Sequence, residues 1–120
     1  MKKDNIILNK SFEFALDIIE CYKHLKNNHE YILSQQLLKA GTSIGANVNE
    51  AQAAQSKKDF ISKMSIASKE ARETEYWLKL LKKSQLLVDY SKGEKLLDDI
   101  NNLISIITKI VKTSIENNKY

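Results

Sequence analysis

The feature that most constrains this chain is what interrupts it: across 120 residues there is no proline, and the three glycines are Gly41, Gly45 and Gly93. Strands joined by tight turns depend on proline and glycine at fixed positions, whereas helices with short connections do not. An all-β or α/β chain would lack its turn residues, so the reading is all-α. Two of the glycines fall in the segment Gln35 to Lys82, where small residues stand at positions most helices fill with large ones. Such a helix can approach its neighbours closely.

Apolar periodicity places four helices. The first is expected from about Ser11 to Lys26, with Ser11 as an N-cap and Leu8, Phe12, Ala15, Ile19 and Tyr22 on one inward stripe, stopping at the Asn27-Asn28-His29 turn. The second starts between Glu30 and Ser34 and carries Leu33, Leu37, Gly41, Ile44, Val48, Ala51 and Gln55 in a seam that can face two neighbours. Ser56 caps the third, with Asp59 at its third position, and Phe60, Met64, Ala67, Ala71, Thr74, Leu78 and Leu81 point inward. It ends near Ser84. After the Leu86 to Ser91 connection, the fourth runs from about Lys92 to Asn117 on Leu96, Ile100, Leu103, Ile107, Ile110 and Ser114. The length suits one domain, residues 1–120, and four antiparallel helices make an up-down-up-down four-helix bundle.

The single Cys21 excludes an intramolecular disulfide, and the N-terminal residues show neither a long apolar stretch nor a cleavage site, so a reducing cytoplasm is expected. The most apolar stretch, Leu103 to Val111, is cut by Lys109, which argues against a membrane span. The run Gly41 to Val48 lacks a preceding strand and a Gly-Lys-Ser/Thr ending, so its glycines read as close helix packing rather than a phosphate cradle. No catalytic set assembles from the sequence. Neither His24 nor His29 follows a glutamate at di-iron spacing, Cys21 with the two histidines lacks a fourth ligand, and Ser43, Thr42 and Ser56 have no identifiable base. The expectation is a non-enzyme without metal or cofactor. A histidine phosphotransfer bundle using His24 is the enzymatic rival.

Charge gives the positive signal. The chain carries a formal net charge of +4. Between residues 57 and 83, Lys57, Lys58, Lys63, Lys69, Arg72, Lys79, Lys82 and Lys83 face only Asp59, Glu70, Glu73 and Glu75, so the whole excess sits on the third helix. At about 100° per residue, Lys58, Lys69, Arg72, Lys79 and Lys83 fall within an arc of roughly 80° opposite the core seam, with Tyr76 among them. Cations around an aromatic suit a phosphate backbone with an accessible base. A solvated face of mixed glutamate and lysine is the competing explanation. Arg72 is the one arginine among nineteen basic residues, which favours nonspecific contact over bidentate base readout.

Apolar residues also exceed what one face requires. Leu97, Ile104 and Val111 form a second row on the fourth helix, and Ile66 and Trp77 project to a flank of the third. A wide core accounts for such a surplus; so does a subunit interface, the reading favoured for these five residues.

The run Leu37 to Ala51, followed by Ser56, Asp59-Phe60, Lys63, Ile66-Ala67, Lys69-Glu70-Ala71, Glu73-Thr74 and Tyr76-Trp77-Leu78, resembles the bacterial four-helix-bundle family named for proteins encoded in 23S ribosomal RNA intervening sequences. The same family includes the accessory variability protein of diversity-generating retroelements. The match is specific from Lys39 to Leu78. Many members have proline where Gly45 stands and glycine where Ala51 stands, so this chain resembles a glycine-type branch. The resemblance implies an up-down bundle assembled into a barrel-like homopentamer, whose basic surface in the retroelement branch contacts nucleic acid and a reverse transcriptase. An RNA- or DNA-binding scaffold is then the first expectation, and an adaptor docking a partner such as a reverse transcriptase the second.

Overall fold

The computed structural model describes residues 6–118; residues 1–5 and 119–120, which the single-domain reading includes, lie outside the described residues. Four helices follow one another: α1 (Ile6–Asn27), α2 (Ile32–Gln52), α3 (Lys57–Lys83) and α4 (Gly93–Asn118). Each helix packs on its neighbours in sequence and α1 closes against α4, so α1 and α3 occupy opposite corners of the bundle. The α1–α4 seam is the thinnest. It is laced at the surface by Lys92 with Glu20 at 2.9 Å and by Lys95 with Asp17 at 3.2 Å. Lys92 holds the Glu20 carboxyl below its ordinary pKa by a hydrogen bond, and Glu20 in turn raises Lys92.

The core rows of α2, α3 and α4 lie close to where periodicity puts them. Leu37, Gly41, Ile44, Val48 and Ala51 are buried on α2, Met64 through Leu81 on α3, and Leu96, Ile100, Leu103 and Ile107 on α4. The α2 row stops at Ala51, because the helix ends at Gln52 and leaves Gln55 exposed. Ser56 does cap α3: its Oγ accepts from the Asp59 amide at 3.0 Å while Asp59 Oδ2 accepts from the Gln55 amide at 3.4 Å.

On α1 the expectation fails in two ways. Among the described residues the helix already runs from Ile6, five residues before Ser11, and Ser11 is buried within it with its hydroxyl donating to the Leu8 carbonyl at 3.2 Å. The inward line is Ile7, Ser11, Phe14, Ile18, Cys21 and Leu25, not Leu8, Phe12, Ala15, Ile19 and Tyr22. The glycine pair on α2 marks where the two helices approach most closely. A methyl group at Gly45 would lie 3.2 Å from the Ser11 carbonyl oxygen, and one at Gly41 2.8 Å from Ile18 Cγ1, so the α1 row holding Ser11 and Ile18 is the one set against α2. Phe14 is buried with that row and Phe12 is left outside.

Both upper turns end their helices without glycine. His29 and Gln85 each take φ 67°, and the amides after them reach back to Leu25 and Leu81 respectively, closing Schellman motifs at α1 and α3. A left-handed non-glycine residue is strained by about 1 kcal/mol. Gln85→Gly, at an exposed position, is expected to raise unfolding free energy by about 1 kcal/mol in a denaturant titration; an unchanged midpoint would mean the turn is not strained.

Candidate nucleic-acid interface

The outer face of α3 is where charge concentrates. Lys69, Arg72, Tyr76, Lys79 and Lys83 follow at steps of three and four, which stacks them in one column about 21 Å long, and Lys58 stands further down the same side. All six are exposed. Lys58, Lys69 and Lys83 have no carboxylate partner within 4 Å among the described residues. Lys79 sits 3.5 Å from Glu75, an exposed pair that holds it weakly. Arg72 Nη2 donates to Thr108 Oγ1 of α4 at 3.3 Å, which fixes the guanidinium without neutralising it.

Two other lysines of α3 reach across to neighbouring helices. Lys82 pairs with Glu94 at 2.6 Å across the α3–α4 seam, and Lys63 pairs with Glu50 at 2.9 Å toward α2, its pKa raised by that hydrogen bond. Both partners lie on other helices, which charge counting alone does not reveal. Thr108 and, one turn on, exposed Lys112 extend the polar face onto α4. Periodicity did not select them, because α4 was read for its apolar rows.

The remaining candidates are placed as follows. Leu97, Ile104, Val111 and Trp77 are half-buried and packed against the protomer's own core, and Ile66 is 40% exposed. Trp77 is braced by its Nε1, which donates to Glu73 Oε2 at 3.2 Å. One patch of open apolar surface lies on α1. Phe12 is 64% exposed and Leu16 47%, beside a furrow of about 670 Å³ floored by Thr42, Gly45, Ala46 and Asn49 of α2. Cys21 and the histidines do not converge: the thiol is buried and pushed up to about 12, His24 lies half-buried against Tyr90 with ring centroids 4.8 Å apart, and His29 contacts the Tyr31 hydroxyl at 2.8 Å. His24 Nε2 is 3.2 Å from Asn28 Nδ2, so that nitrogen is already engaged.

The model of the 23S rRNA-intervening sequence protein family matches residues 3–109. The chain belongs to this family. A crystal structure at 1.70 Å of a protein with unknown function from the S23 ribosomal protein family, from Bacteroides thetaiotaomicron VPI-5482, is 44% identical to it and superposes with a TM-score of 0.85, covering 89% of this chain and 99% of that one. No curated protein matches the chain. The four-helix bundle is therefore that of an intervening-sequence protein, and no helix among the described residues is long and apolar enough to cross a membrane.

Proposed function

We propose that this intervening-sequence protein is a non-catalytic, oligomeric scaffold that binds RNA or DNA electrostatically through α3. The observation that carries the reading is the column of exposed cations around Tyr76, on the corner of the bundle opposite α1. Lys58, Lys69, Arg72, Lys79 and Lys83 would neutralise phosphates. A contact of this kind releases counterions, so affinity for labelled oligonucleotides should fall steeply between low and near-physiological salt. Absence of binding at low salt would remove the proposal. A lone free cysteine suits a reducing cytoplasm for such a scaffold.

Self-assembly is assigned to α1 and α2. Phe12 and Leu16, with Glu13 between them, lie beside their own shallow furrow, so one copy can offer the two apolar side chains and another the furrow while α3 stays outward. Five copies is the number the family resemblance implies. Phe12→Asp, at a position outside the core, is expected to reduce the mass seen by light scattering to that of a protomer with helix content retained. A parent chain that is monomeric at every concentration would give the furrow to a partner protein instead. That is the adaptor reading, with a reverse transcriptase as the kind of partner, and its affinity would survive high salt.

A further inference from the structure

We infer that the α3 column is a site for single-stranded nucleic acid, with one unstacked base lying on Tyr76 and the flanking phosphates on Lys69 with Arg72 and on Lys79 with Lys83. The inference rests on the nucleic-acid reading above and narrows it to a substrate class. Tyr76 is 59% exposed at the centre of its column, with two cations toward each helix end. Arg72 and Lys79 are each about one turn away, Lys69 and Lys83 about two. A backbone running along the helix past a base seated on the ring would meet positive charge on both sides.

The ring is also held in place. Tyr76 meets Trp77 in a T-shaped contact, centroids 5.1 Å apart and planes at 73°, and Trp77 is fixed by core packing and its bond to Glu73. In either sense of a T-shaped contact at least one face of the tyrosine ring is left uncovered by the indole. A braced, outward aromatic face is a stacking platform, and stacking tolerates any base because every base has a π-face. Duplexes cannot use it. Their base faces are covered by neighbouring pairs, so a duplex would engage the lysines alone. One arginine among the basic residues leaves little capacity for base-edge readout, which fits a sequence-tolerant site.

The test compares labelled oligo-dT and oligo-U of about a dozen nucleotides with a duplex of equal phosphate count. Binding is measured by anisotropy at fixed salt for the full-length parent, Tyr76→Ala, Tyr76→Phe and Lys69→Glu/Arg72→Glu. Tyr76→Ala should weaken single-strand binding about tenfold and duplex binding by less than about twofold, while Tyr76→Phe should bind as the parent does. Unchanged helical circular dichroism in Tyr76→Ala shows that the platform, not the fold, is lost. If Tyr76→Ala weakens both ligands equally or neither, the stacking site is wrong, and continued sensitivity to charge reversal would leave the electrostatic reading standing. Binding of no oligonucleotide at all would remove both. Polyglutamate of matching charge binding as tightly as oligo-dT would also overturn the inference, making the column a general polyanion surface.

Discussion

Reversing two charges at the centre of the α3 column, Lys69→Glu with Arg72→Glu, is expected to weaken binding of single strands and duplexes alike by about a hundredfold. The change removes four units of charge from a solvent-exposed contact. At roughly 0.7 kcal/mol per unit, in the range of exposed ion pairs, it amounts to about two decades of affinity. The slope of log affinity against log salt should also become shallower by about two. Neither residue contributes to the core, and Arg72 loses only an exposed bond to Thr108, so the fold should persist. A control separates position from net charge: Lys23→Glu with Lys26→Glu makes the same change on exposed residues of α1. If the two double variants lose affinity equally, binding answers to overall charge and the column is not a site.

What the sequence made legible follows from which residues carried the signal. On α3 and α4 the buried rows are large and the outer faces strongly polar, so a helical wheel separates them, and Met64 through Leu81 and Leu96 through Ile107 are buried as expected. α1 has two apolar rows. The buried one holds Ile7, Ser11, Phe14, Ile18, Cys21 and Leu25, the half-open one Leu8, Phe12, Ala15, Ile19 and Tyr22, and since both mix bulky and small residues, side-chain size does not decide between them. Gly41 and Gly45 marked a close approach, but which helix approaches them is a tertiary fact. Only when Ser11 and Ile18 are seen against them does the choice of row become physical.

The cationic column was legible as an arc of charge, because angular position on a helix needs only the residue spacing. Which lysines of α3 pair with other helices was not. Lys63 and Lys82 reach Glu50 and Glu94, thirteen and twelve residues away on other helices, and no local pattern records those partners. Trp77, Leu97, Ile104 and Val111, whose apolar character beyond one face suggested a subunit contact, are half-buried against the protomer's own core. A bundle of long helices widens its core by overlapping neighbours, and residues at the rim of that overlap are half-buried without any partner.

Gly41→Leu should destabilise the protein by at least about 3 kcal/mol, the upper range for forcing extra methylenes into a packed core. A methyl group there would lie 2.8 and 2.9 Å from Ile18 Cγ1 and Cγ2, atoms close to a fully buried β-branched backbone position that cannot swing clear. The helix-propensity gain over glycine, about 1 kcal/mol, offsets only part of that. Ile18→Ala alone should cost about 2 to 5 kcal/mol by opening a cavity at the same place. The double variant fills the cavity with the new leucine, so its loss should be smaller than the sum of the two by at least about 1 kcal/mol. Denaturant unfolding of the parent and the three variants measures the cycle, and additive losses would show that Gly41 is not held open by Ile18. Because this contact lies inside the α1–α2 seam, away from α3, the folded fraction of each variant should bind oligonucleotides as the parent does. Spreading α1 from α2 would reshape the furrow that Gly45 floors, so a loss of assembly without a loss of protomer affinity would place the two functions on opposite faces of the same bundle.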